Sequence, residues 1–171
     1  MNTAELLADG YGRIREAVYG AVEDLTAEEL AERLDPEANT VAWLIWHLTR
    51  VQDDHVAEVA GREQVWLTDG WRDRFDLPFA ARTIGYGQSA RDVAKVKVAD
   101  PALLTGYYDA VHAATLDYLE DLTDDDLDRV VDERWDPPVT LGVRLTSVIS
   151  DDLQHAGQAA FIRGILLLRR R

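Results

Sequence analysis

A chain of 171 residues, 47% of them hydrophobic, is long enough for one domain with a continuous core and short for two. Its 32 acidic against 18 basic residues give a formal net charge of -14, which repels phosphate backbones and argues against nucleic acid as a partner. With no cysteine there are no disulfides, no thiolate metal ligands and no protein-borne thiol nucleophile, so any bound metal is held through nitrogen and oxygen.

The N-terminus lacks the basic-then-apolar pattern of a signal peptide, and no apolar run approaches the ~20 residues of a membrane span. The cytoplasm is therefore the expected compartment, with no membrane as partner. A first amphipathic helix is predicted from about Thr3 to Leu25, where Leu6, Leu7, Ile14, Val18, Ala21, Val22 and Leu25 make an apolar stripe. The second opens at Asn39 or Thr40, both good N-caps, and runs through Leu44, Leu48, Val51 and Val59 to Gly61. The stretch from about Arg62 to Ala99 is too long for a hairpin connection and lets the third helix start at either end of a bundle. Its Trp66 and Trp71 either cover the core or wall a site, the first being the larger expectation. The third helix has Asp100 as N-cap and Pro101 at its first position. The fourth starts near Thr140, after Pro137 and Pro138, and continues to the tail Arg169, Arg170, Arg171, whose cations complement a helix C-terminus. The expectation is an all-α, antiparallel four-helix bundle with a long crossover between helices two and three, filling residues 1–171 as a single domain.

The run Glu23-Asp24-Leu25-Thr26-Ala27-Glu28-Glu29-Leu30 reappears as Glu120-Asp121-Leu122-Thr123-Asp124-Asp125-Asp126-Leu127. Either two related helical hairpins make up the domain, or Thr26 and Thr123 each start a small extra helix at a common acidic capping turn.

Asp151 and His155 are four apart on the fourth helix, so their side chains stack on one face and can grip one ion. An ionised carboxylate beside the apolar stripe of Leu145, Val148, Ile149, Ala156 and Ile162 is costly unless it meets a cation or a donor. The alternative is an Asp–His hydrogen bond at the helix surface. His47 fits as the third ligand, since it shares the inward face of the second helix with Leu44, Leu48 and Val51; the alternative is a buried histidine satisfied by a backbone carbonyl, the better reading for His47 taken alone. Two histidines and a carboxylate suit Zn²⁺, Ni²⁺ or Fe²⁺ and leave coordination positions for water or substrate. His55, on nearly the same face as His47, and Asp152, nearer the centre of the apolar stripe than Asp151, compete for places in this set. His47 and His55 are about 12 Å apart along the helix axis, so one ion does not bind both. His112 has no ligand-spaced neighbour and reads as structural or surface.

Asn39-Thr40-Val41-Ala42-Trp43-Leu44-Ile45-Trp46-His47-Leu48, followed by Asp151-x-x-x-His155-x-Gly157-Gln158, resembles the DinB-like superfamily, which includes mycothiol-dependent maleylpyruvate isomerases. The resemblance implies a four-helix bundle with a long second crossover and a divalent metal, zinc or nickel, held by His47, Asp151 and His155. The sequence departs from the family pattern at Asp151, where relatives usually carry His or Glu. It also implies a bacterial thiol such as mycothiol as co-substrate, a small electrophile as its acceptor, and a homodimer. A composition rich in Arg, Ala, Asp and Val, with Lys95 and Lys97 the only lysines, points to a high-GC bacterial genome and agrees with that thiol.

A metal-dependent thiol S-transferase or isomerase is thus the first expectation, with no catalytic residue beyond the ligands. Trp43, Trp46, Gln158 and Trp71 either shape the pocket or serve as core aromatics and a helix-surface amide. A non-catalytic metal-binding or structural helical dimer is the second expectation. The third is a metal-dependent hydrolase with Asp152 as base.

Overall fold

Each long helix begins at a side-chain cap placed just ahead of its apolar stripe. A computed structural model describes residues 1–170. Helix α1 (Thr3–Val22) opens with a capping box between Asn2 and Glu5. It stops short of the expected Leu25 because Asp24 adopts a positive φ of 61°. Helix α2 (Ala27–Leu30) is capped by Thr26, and α3 (Val41–Ala60) by Thr40, whose hydroxyl accepts from the Trp43 N–H. Gly61 ends α3 in the left-handed conformation. The crossover holds three short helices, α4 (Val65–Thr68), α5 (Trp71–Phe75) and α6 (Ala90–Val93). Helix α7 (Pro101–Glu120) has Asp100 as its cap, and a 3-10 turn at Asp124–Asp128 follows from Thr123. The antiparallel strands β1 (Val130–Asp132) and β2 (Val139–Thr140) pair Val130 with Thr140 and Asp132 with Val139, and lead into α8 (Leu141–Arg169). Both copies of the acidic repeat are local capping boxes that start short helical turns, the simpler of the two readings.

Helices α1 and α3 each pack against both α7 and α8, so the four stand in a square with α1 diagonal to α3. Arg15 bonds Asp109 and Thr3 bonds Asp124, so α1 and α7 run antiparallel. His47 meets His155 and His55 meets Arg144, so α3 and α8 are antiparallel too. Tyr11 donates to the Leu145 carbonyl and Arg163 to the Glu23 carbonyl, which makes α1 and α8 parallel. Arg50 meets Tyr107 and Gln52 meets Thr115, which makes α3 and α7 parallel. The antiparallel arrangement expected from the sequence therefore holds for two of the four adjacent pairs. The crossover carries the chain back to the end where α3 began, and α7 repeats the direction of α3.

A buried network ties the crossover down. The Arg50 guanidinium, fully buried, donates to Asp53, to the Tyr107 hydroxyl, to the Gln64 amide oxygen and to the Thr83 carbonyl. Asp53 in turn accepts from the Val65 and Trp66 N–H groups and from Tyr107. With donors and acceptors both filled, the ion pair tolerates burial. Among the described residues no helix is long and apolar enough to cross a membrane.

Candidate metal centre

The square places the second turn of α3 against the middle of α8, and there His47, Asp151 and His155 converge. One ligand atom from each lies within 4.8 Å of the others. The imidazole rings of His47 and His155 stand 4.9 Å apart in an edge-to-face arrangement, and His155 Nε2 is 3.7 Å from Asp151 Oδ1. The His155–Asp151 separation is too long for a hydrogen bond, and the cluster is of a size to enclose an ion. Asp151 Oδ2 is buried and has no hydrogen-bond partner in the protein. Two imidazoles and a carboxylate with an orphaned oxygen form a donor set that a borderline divalent cation takes, so these residues fit such an ion.

The tautomer of His47 follows from its neighbour. Its Nδ1 contacts the Ile84 carbonyl oxygen, which accepts only, so Nδ1 carries the proton and Nε2 presents a lone pair. Burial, opposed by that carbonyl, lowers the His47 pKa and favours the neutral, ligating ring. Trp43 stacks on His47 at 4.5 Å and meets His155 edge-on at 6.3 Å, while its indole N–H is held by Gln88 Oε1. His155 Nδ1 lies 3.4 Å from the Gln158 amide oxygen, which turns Nε2 toward the centre.

Gly85 explains how the crossover approaches so closely. Its φ is +107°, and a Cβ there would lie 2.5 Å from His47 Nδ1, so a side chain is barred by both backbone and space. The next residue, Tyr86, stands edge-on to His47 at 5.3 Å. Neither the Ile84 carbonyl nor Tyr86 stands out in the sequence. The local signal is the turn-forming run Gly85-Tyr86-Gly87, which does not say where the turn lands.

The competing residues lie elsewhere. Asp152 is fully buried in the bundle interior, both its oxygens lack partners, and desolvation together with Asp151 raises its pKa well above the carboxylate range. Sealed from solvent, it is not placed to act as the base that the hydrolase expectation assigns to it. His55 sits two turns along α3 and accepts from Arg144 at 2.9 Å. His112 stacks on Tyr108. Trp46 packs on Trp66 and Phe79, and Trp71 packs on Tyr107, so both serve the core rather than the pocket.

A groove of about 470 Å³ opens beside Asp151. It runs between α3 and α8, with Tyr86 from the crossover and Arg134 and Trp135 from the hairpin turn along its walls.

The model of the DinB superfamily matches residues 11–159, a span that includes all three converging side chains. A crystal structure of a conserved protein from Enterococcus faecalis is 32% identical, with a TM-score of 0.89 over 95% of this chain and 96% of that one. Comparison with curated proteins gives no match.

Proposed function

The chain belongs to the DinB superfamily, and from that premise we propose that it binds one divalent ion, zinc or nickel, through His47, Asp151 and His155 and transfers a low-molecular-weight thiol of the mycothiol kind to a small electrophile. The observation that carries this reading is the meeting of two imidazoles and an unpartnered carboxylate within 4.8 Å at the edge of a groove. A divalent ion held there lowers the pKa of a thiol that binds it and makes thiolate available near neutral pH. The sulfur comes from outside, since the chain has none in thiol form.

The protein's own part is to orient and to exclude. The Ile84 carbonyl fixes one imidazole and Gln158 turns the other. Trp43 packs against both rings, and the groove opens to reactants beside Asp151. We also infer a homodimer, in keeping with Leu153, Phe161 and Leu168 exposed along α8, and a cytoplasmic location.

Metal analysis of protein purified without a metal-affinity tag tests the first half. About one ion per chain is expected, and substitution His155→Ala is expected to remove it; absence of metal, or metal retained in the variant, overturns the reading. Product formation from thiol plus electrophile, followed by mass spectrometry, tests the second half. A stoichiometric metal without turnover leaves a non-catalytic metal-binding domain.

A further inference from the structure

The groove extends well beyond Asp151. Arg144 lies two turns earlier on the same helix, about 10 Å at 1.5 Å per residue, and both line it. With Asp151 given to the metal, three carboxylates, Asp54, Glu58 and Asp132, line the groove with two guanidiniums, Arg134 and Arg144. The guanidiniums are already engaged. Arg144 donates Nη1 to Glu58 and His55 and Nη2 to Asp132, while Arg134 donates Nε and Nη2 to Asp132. Because a guanidinium only donates, His55 Nδ1 accepts from it and the imidazole is neutral.

Asp54 is different. Its Oδ1 accepts from the Gln64 amide at 2.6 Å, and the neutral His55 is 3.9 Å away, but among the described residues no arginine or lysine lies within salt-bridge distance of it. Its side chain is 31% exposed. Tyr86 and Trp135 wall the same groove, and Trp135 is 66% exposed, an aromatic face open to an incoming group. A ligand carboxylate or phosphate entering this space meets an excess of negative charge and guanidiniums already bound elsewhere. An ammonium meets a carboxylate that has no direct ion pair, Arg82 acting on it only at longer range, and aromatic faces, the combination that binds organic cations.

We propose that the groove selects a ligand bearing an ammonium group remote from its metal-binding end, and that Asp54 receives that ammonium. This rests on the reading of the groove as the substrate site of a thiol-binding metal centre and narrows it: mycothiol itself has both nitrogens in amides, so the ligand is a related thiol that carries a free amine.

The test uses cobalt-substituted full-length protein and three thiols of equal length: 6-aminohexanethiol, 6-mercaptohexanol and 6-mercaptohexanoate. Thiolate-to-cobalt absorption reports binding. The aminothiol is expected to bind about tenfold more tightly than the carboxylate, with the alcohol between. Asp54→Asn is expected to shrink that gap to about threefold or less. Trp135→Ala, at the exposed rim, is expected to narrow it without a change in thermal midpoint, and serves if the first variant folds poorly. Equal affinities, a preference for the carboxylate, or a gap unchanged in both variants overturns the proposal. If no thiol alters the spectrum, the thiol-transfer reading fails. The charge preference is then read on chelator-treated protein from amide shifts on adding hexylamine or hexanoate. Shifts at Asp54 and Tyr86 with the amine alone support it, and equal shifts or none overturn it.

Discussion

A partnerless carboxylate in a helical core has a consequence for pH. The folded pKa of Asp152 lies above its unfolded value because burial, and then Asp151, disfavour the charged form. The folded state therefore holds a proton that the unfolded chain releases above about pH 3.9, so this contribution is full below that pH and lost as pH rises. Asp152→Asn carries no such loss. In metal-free protein the variant is expected to exceed the parent by roughly 1–3 kcal/mol at about pH 8 and to converge with it near pH 4. Urea midpoints at the two pH values check this, and a difference independent of pH refutes it. At Gly85 the expected effect is on the metal. Gly85→Ala drives a Cβ into His47 Nδ1, so affinity is expected to fall about 10- to 100-fold in chelator competition, as for loss of an outer hydrogen bond to a ligand. His47, Asp151 and His155 could be found from the sequence because helical facing and four-residue spacing are local properties. Ile84 and Tyr86 could not, because their role depends on where a long loop comes to rest.

At the scale of elements, the crossover is held by chemistry that no periodicity reveals. Arg50→Met leaves the buried Asp53 without its cation, and breaking such a pair is expected to cost about 3–5 kcal/mol in denaturant unfolding. The loosened crossover also carries the Ile84 carbonyl, so metal affinity is expected to fall along with stability. A variant that keeps its denaturation midpoint shows that the network contributes little. Helix starts were legible at Thr40, at Asp100 with Pro101 and at Thr140, because a cap is written in two or three adjacent residues. The hairpin of β1 and β2 was not, since strands of three and two residues are too short to show alternation.

For the whole molecule, four long amphipathic segments were enough to announce a bundle with a long crossover, but their directions were not fixed by pattern. A 38-residue connector reaches either end of its neighbour, and only contacts such as Gln52 with Thr115 select the parallel course of α3 and α7. An ion present at a thousand times its Kd stabilises the native state by about 4 kcal/mol. Chelation is therefore expected to lower Tm by roughly 10 °C, read by scanning calorimetry, and an unmoved Tm shows that no ion was bound.

The converging histidines sit on helices separated by more than a hundred positions of chain. An ion joining them ties the start of α3 to the middle of α8 and is held only while the two helices stay together. Any partly opened form in which α8 has swung away from α3 forfeits the ion and its stabilisation together. Loading is therefore expected to raise the cost of partial opening and of complete unfolding by the same amount, so that amides of α3 and α8 slow together by either route while those that exchange by local fraying elsewhere keep their rates.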